Sequence, residues 1–143
     1  MDVKTKKARN FRNYKVWQDA VDYASKVYKI TADMPWFEKK GLCDQLQRAV
    51  VSISSNIAEG AAKPSDSEFA RFLDTSLGSA FEVETQLLIA KNGGYIKNAN
   101  DNVNSNDNVN DNDKGGVTYE ELLAELQEIE RQINGLISSV RKT

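Results

Sequence analysis

The sequence has 143 residues, of which 40% are hydrophobic and 28% are charged, and its formal net charge at pH 7 is −2. These values are typical of one globular domain and exclude a chain too polar to bury a core. No apolar run approaches the roughly 20 residues that a membrane-spanning helix needs, and the basic N-terminus lacks the apolar core of a signal peptide. We therefore expect a cytoplasmic protein.

The charges are distributed unevenly along the chain. The first fifteen residues carry a net charge of +5, which leaves −7 for the remainder. Residues 1–12 are predicted to be a basic flexible arm. Because cationic side chains release counterions when they meet phosphates, we predict that this region binds nucleic acid, with a solubilising terminus as the alternative. The candidate nucleic-acid-binding residues are Lys4, Lys6, Lys7, Arg9, Arg12 and Lys15.

A first helix is predicted from about Asn13 or Tyr14 to about Asp33, because apolar residues recur at spacings of three and four. Pro35 prevents its continuation. Trp36 and Phe37 follow, and we predict that they form a hydrophobic plug over the end of a bundle, with ligand stacking as the alternative.

A second helix is predicted from about Glu38 to Gly60, with Gly60 as its C-terminal cap. Pro64 forbids a straight continuation. A third helix then starts at Ser65 or Asp66, where a side-chain cap is available, and ends at 92–94 in the sequence Asn-Gly-Gly.

Polar residues form a second row beside the apolar stripe of each of these two helices. One interpretation is a satisfied polar network inside the bundle or at a subunit interface, in which Arg48 meets carboxylates such as Glu59, Glu82 or Glu84. The other is a solvated face. The candidate residues of the network or interface are Gln45, Arg48, Ser52, Asn56, Glu59, Ser79 and Glu82.

The segment 97–117 is a low-complexity insertion rich in Asn and Asp, in which Asn-Asp-Asn-Val-Asn occurs at 100–104 and again at 106–110. It lacks the apolar residues needed to offset the entropy of ordering, so a mobile loop is predicted. The glycine and the closing glutamate that an EF-hand requires are not in place in this segment. The fourth helix follows Thr118 and carries the most regular apolar seam of the chain.

Four amphipathic helices with mostly short connections predict an all-α fold, an antiparallel up-and-down four-helix bundle that occupies residues 13–143 as a single domain. The chain contains no histidine. This excludes the Glu-x-x-His pairs of di-iron bundles, Ser-His-Asp triads and ordinary zinc sites. We predict that the protein is not an enzyme and that it uses no metal or cofactor.

Two long runs, GLCDQLQRAVVSISSNIAEG and SEFARFLDTSLGSAFEVETQLLIAKNGGYI, carry a family resemblance, which extends to KVWQDAVDYASKVY and YEELLAELQEIERQINGL. Together they resemble the small four-helix-bundle proteins encoded in intervening sequences of bacterial 23S ribosomal RNA genes. That family is related to the accessory protein of diversity-generating retroelements, a pentameric barrel that binds nucleic acid and a reverse transcriptase. The resemblance implies a homopentameric ring, RNA as a partner, a reverse transcriptase as a further partner, and no enzymatic activity.

Two functions follow from these observations. The first is a non-enzymatic, oligomeric nucleic-acid-binding protein, associated with RNA or accessory to a nucleoprotein. The alternative is a structural adaptor bundle that binds a protein and has no nucleic-acid role. Salt-sensitive RNA binding distinguishes them, because phosphate contacts weaken with salt while a packed protein interface does not. The acidic insertion argues against nucleic-acid contact at its own end of the bundle.

Overall fold

The computed structural model describes residues 9–99 and 116–142, and in these residues the secondary structure consists of helices and turns, with no strand. The four α-helices of this part of the chain are α1 (Lys15–Ala32), α2 (Asp44–Ala61), α3 (Asp66–Asn92) and α4 (Tyr119–Arg141). The all-α prediction is confirmed.

The helices pack in chain order, each against the next, and α4 closes the bundle against α1. Side-chain bonds show that α1 and α4 are antiparallel: Lys26 pairs with Glu125 near the end of α1, and Gln132 bonds Asp19 near its start. The predicted up-and-down four-helix bundle is therefore the observed architecture.

The core forms where the apolar stripes of the four helices meet. Each helix contributes residues that are almost completely excluded from solvent. Full burial of one large apolar side chain stabilises the fold by about 1.5–3 kcal/mol. The largest of these buried side chains include Tyr23, Leu46, Ile53, Phe69, Leu73, Leu87, Leu122, Leu126 and Ile133.

The predicted starts of α3 and α4 are both capped in the structure. The Ser65 side chain accepts a hydrogen bond from the Glu68 amide at the start of α3, and the Thr118 side chain accepts one from the Glu121 amide at the start of α4. These caps satisfy amides that the first turn of a helix leaves without a partner.

The start of α2 differs from the prediction. A 3-10 turn (Trp36–Glu38) and a π turn (Lys39–Cys43) precede the regular helix. Lys39 Nζ donates to the carbonyls of Thr31 and Ala32 and so caps α1. At its other end α2 continues to Ala61, so Gly60 lies inside the helix and is not its cap.

The plug interpretation of Trp36 and Phe37 is wrong. Their exposed fractions are 84% and 59%, and the two rings contact each other edge to face with centroids 6.1 Å apart. Met34 and Ile96 are buried at this end of the bundle instead. The 3-10 turn carries the two aromatic rings outward, which the helical periodicity of the flanking segments does not indicate.

The first residues of the predicted insertion are hydrogen-bonded to the start of α4. The carbonyl of Lys97 accepts a hydrogen bond of 2.8 Å from the amide of Tyr119, and the amide of Ala99 donates to Glu120 at 2.9 Å. Residues 100–115, which include both Asn-Asp-Asn-Val-Asn copies, lie outside the described residues. None of the helices in the described ranges combines the length and apolarity required to cross a bilayer.

Candidate functional site

The N-terminal segment is fixed to the end of the bundle where α2 ends and α3 begins. The guanidinium of Arg9 donates to the carbonyl of Lys63 at 2.7 Å and forms an ion pair with Asp66. The same guanidinium lies over the ring of Phe69, 4.7 Å from its centroid. A charge-assisted hydrogen bond and a cation–π contact of Arg9 together hold the N-terminal segment against the bundle.

The structure thus shows that residues 9–12, which the sequence assigns to a flexible arm, contact the bundle. Asn10 caps a 3-10 turn (Phe11–Asn13), and the ring of Phe11 packs on Trp17 at a centroid distance of 5.1 Å. The other predicted arm residues, Lys4, Lys6 and Lys7, lie outside the described residues.

Antiparallel packing brings cations from four parts of the chain to this same end. A groove between the start of α3 and the end of α4 contains both Arg71 and Arg141, and Arg141 pairs with Asp74. We call this set the basic end. It comprises Arg9, Arg12, Lys15, Lys63, Arg71, Arg141 and Lys142.

Some cations of the basic end are paired and others are not. Lys15 bonds Asp19 at 2.6 Å, and this hydrogen bond raises the pKa of Lys15 above its usual value. By contrast, Arg12, Arg71 and Lys142 are exposed and have no ion-pair partner within the part of the chain that the structure describes. These three side chains are available to an anionic ligand.

Sequence reasoning did not assign Lys63, Arg71 or Lys142 to a nucleic-acid site. Lys63 follows α2, Arg71 lies in α3 and Lys142 follows α4, so no local motif contains them together. The signal that would have found them is the predicted up-and-down topology, because it places the end of α4 beside the start of α1.

In the structure, some residues of the polar row on α2 and α3 are buried or half-buried between the helices, and others are exposed. The hydroxyls of Ser52 and Ser79 are 2.8 Å apart, and the amide nitrogen of Asn56 donates to both the carbonyl and the hydroxyl of Ser52. Ser79 is buried, while Ser52 and Asn56 are half-buried. Ser76, which the sequence did not single out, donates to the carbonyl of Ile53 at 2.7 Å and further joins the two helices.

The other members of the row are exposed. Gln45, Glu59 and Glu82 lie on the surface, and Arg48 is 80% exposed with Asp44 of its own helix as its ion-pair partner. Within one chain Arg48 is therefore not buried against carboxylates. The rotation of α2 places this part of the row at the outside of the bundle, and its role as a subunit interface stays a prediction.

Two acidic side chains meet between α3 and α4, where Glu84 faces Glu130. Burial, together with the hydrogen bond and the negative charge of Glu84, raises the pKa of Glu130 to about 8. Sequence reasoning considered Glu84 but missed Glu130, because it follows Ile129 beside the seam and resembles a solvated residue. Burial of an acid next to a like charge favours its protonated form.

Metal and thiol chemistry have little support in the described residues. Residues 9–99 and 116–142 contain no cluster of three or more acidic or cysteine side chains arranged to hold a metal ion. Cys43 is buried beside Met34, and burial raises the pKa of its thiol above the usual value. A buried thiol of this kind is a weak nucleophile.

These features define a small all-α protein, a four-helix bundle with cations gathered at one end. Its sequence matches the model of the 23S rRNA-intervening sequence protein family over residues 12–111, and the chain belongs to that family. The resemblance predicted from the sequence runs is confirmed.

Among solved structures, the fold is similar to that of a protein of unknown function from the S23 ribosomal protein family of Bacteroides thetaiotaomicron. The similarity covers 86% of this chain and 95% of that one, with a TM-score of 0.63 and 22% sequence identity. At this identity the similarity shows the fold alone. A comparison with curated proteins gave no match.

Proposed function

We propose that this protein is a non-enzymatic, oligomeric RNA-associated protein that contacts RNA through its basic end. The single observation that carries the proposal is the convergence of Arg12, Arg71 and Lys142, three exposed cations without ion-pair partners in the described residues. The family, named for the intervening sequence of 23S rRNA, supports RNA as the ligand.

The paired cations of the basic end have a different role from the unpaired ones. Arg9 forms an ion pair with Asp66, and Arg141 forms one with Asp74. Their charges are therefore balanced within the chain. The unpaired cations can neutralise phosphates and release counterions. Lys4, Lys6 and Lys7 precede Arg9 in the sequence and add three further positive charges to the same segment.

The proposal is tested with a stem-loop RNA from a 23S rRNA intervening sequence, titrated at several salt concentrations. The triple variant Arg12→Gln, Arg71→Gln, Lys142→Gln should bind more weakly and show a flatter dependence of log K on log salt. Each lost phosphate contact lowers that slope by about 0.9 for duplex or about 0.7 for single-stranded regions.

The matched control is Lys29→Gln, Lys40→Gln, Lys97→Gln, which removes the same charge from exposed cations at the opposite end of the bundle. Equal weakening in both triple variants would contradict a localised site. A second variant lacks residues 1–8 and retains Arg9 and Phe11, so the contacts of these two residues with the bundle stay intact. It should lose part of the salt dependence without loss of stability.

We also propose that the functional unit is a homo-oligomer, with five as the number that the family resemblance implies. The support in the structure is the row of Gln45, Arg48, Glu59 and Glu82, which is exposed and carries both signs of charge. Several basic ends in one assembly would gain avidity for a long RNA. Light scattering that reports a monomer at micromolar concentration would contradict the assembly. A reverse transcriptase as a further partner stays a prediction.

A further inference from the structure

None of the aromatic side chains beside the cations of the basic end is exposed. Tyr14 and Trp17 are half-buried and pack against the core. Three further rings each have a cation over one face, with 4.6–5.0 Å between the charged group and the ring centroid. These pairs are Arg9 on Phe69, Arg12 on Phe11 and Lys63 on Phe72. The basic end therefore offers positive charge without an exposed aromatic ring.

The exposed aromatic side chains lie elsewhere on the molecule. They are Tyr28, Trp36, Phe37 and Phe81. Trp36 and Phe37 are at the opposite end of the bundle. Tyr28 and Phe81 lie roughly 20 Å along α1 and α3 from the first residue of each helix, at about 1.5 Å per residue. Every aromatic residue of the sequence falls in the described ranges, so the segments outside them, including residues 1–8, supply no further ring.

This separation of cations from exposed rings bears on the form of RNA that fits the basic end. Proteins that bind single strands combine cations with aromatic rings on which successive bases stack, and each stacked base raises the affinity by about 5- to 150-fold. The basic end lacks such rings. A duplex needs only phosphate contacts, because its bases are already paired and stacked, and its two strands give it a higher density of phosphates.

We propose that the basic end binds the phosphate backbone of double-stranded RNA in preference to single strands. The inference rests on the RNA contact proposed above and specifies the form of its ligand. The exposed cations Arg12, Arg71 and Lys142 contact phosphates of the duplex, and no base leaves the stack. With about five phosphate contacts, salt slopes of about 0.9 per contact for a duplex and about 0.7 for a single strand favour the duplex by about tenfold at about 0.1 M salt.

The test compares three fluorescent RNAs of equal length by anisotropy titration of the full chain. The first is a duplex, the second is one of its strands with a sequence that does not pair with itself, and the third is that strand with abasic sites in place of its bases. The duplex should bind about tenfold more tightly than the single strand at about 0.1 M salt. The abasic strand should bind within about twofold of the intact strand, because no stacking is lost.

A designed ring supplies the positive control. Ser67 is exposed and lines the groove that contains Arg71 and Arg141, so Ser67→Trp adds an aromatic ring beside these cations. This variant should bind the single strand at least about fivefold more tightly than the wild type and leave the duplex affinity unchanged. Asn92→Trp adds the same exposed ring at the other end of α3 and should change neither affinity. A thermal melt checks that both variants are folded.

Four results would overturn the preference for double-stranded RNA. The single strand could bind as tightly as the duplex, or the abasic strand could bind more than about tenfold more weakly than the intact one, which would reveal stacking. The double variant Trp36→Ala, Phe37→Ala could weaken single-strand binding, which would place a stacking site at the opposite end. A DNA duplex of the same sequence could bind more tightly than the RNA duplex, which would assign the surface to DNA.

Failure of the underlying RNA contact gives a different result. In that case the triple variant Arg12→Gln, Arg71→Gln, Lys142→Gln would bind duplex and single strand as the wild type does, and both proposals would be wrong. If the triple variant weakens binding while the single strand matches the duplex, the RNA contact at the basic end stands and only the preference for double-stranded RNA is wrong.

Discussion

Gly60 of α2 and Phe72 of α3 set how closely these two helices approach. A Cβ atom placed on Gly60 would lie 2.6 Å from the Cβ of Phe72 and 3.0 Å from the ring of Phe69. Because the Cβ of Phe72 is fixed to the backbone, it cannot move without a shift of the helix. The close packing of α2 on α3, which carries the Ser52–Ser79 contact, therefore requires glycine at this position.

Gly60→Ala should destabilise the protein by about 1–3 kcal/mol, the usual cost of overpacking, even though alanine favours the helix. The control is Gly78→Ala on α3, where an added Cβ would meet no atom within 4 Å. That variant should be neutral or more stable by up to about 1 kcal/mol, because alanine lowers the entropy of the unfolded chain. Chemical denaturation measures both, and equal stabilities would contradict the close approach.

The raised pKa of Glu130 predicts a pH-dependent difference between the wild type and Glu130→Gln. The pKa is about 8 in the folded protein against 4.5 as its ordinary value, so the folded state binds more protons between these limits. The wild type should therefore lose stability as the pH rises from 5 to 8, by up to about 1.4 kcal/mol per unit, and level off above 8. Glutamine cannot ionise and should not show this loss.

Thermal melts of the two proteins at pH 5, 6, 7 and 8 measure the effect, with Glu121→Gln as a third sample. The stability gained by Glu130→Gln over the wild type should grow with pH. A constant difference would show that Glu130 ionises in the folded state as it does in the unfolded one. Glu121→Gln should show no growing difference, because Glu121 is exposed.

The phenol of Tyr23 joins α1 to α4 through the core. It is 1% exposed, and its hydroxyl donates to the carbonyl of Leu122 at 2.9 Å. Tyr23→Phe should cost about 0.5–1.5 kcal/mol, the net value of an intramolecular hydrogen bond. Tyr28→Phe on the exposed side of the same helix is the control and should change the free energy of unfolding by less than about 0.5 kcal/mol.

The exposure of Trp36 predicts that its ring adds little to stability. Trp36→Ala should lower the free energy of unfolding by less than about 0.5 kcal/mol, as at other surface positions. Phe69→Ala removes a ring that is almost fully buried and should cost about 3–5 kcal/mol. If urea denaturation gave several kcal/mol for Trp36→Ala, the ring would pack in the protein as a plug.

The sequence alone determined the four helices, apart from the start and the cap of α2, together with the apolar face of each and the caps of α3 and α4. These features depend on residues three or four apart in the chain, and the caps at Ser65 and Thr118 depend on an amide three positions on. The family resemblance has the same origin, because its runs are continuous segments. The apolar seam that the sequence shows in α4 includes Leu122, Leu126 and Ile133, and these residues are buried.

Only the tertiary structure decided which side chains meet across helices. The rotation of α2 places Arg48 at the surface, and the register of α3 against α4 brings Glu84 to Glu130. Local periodicity contains no information on rotation or register, because both are set by how the side chains of two helices interlock. The direction of Trp36 likewise depends on the 3-10 turn after Pro35, where the helical period does not apply.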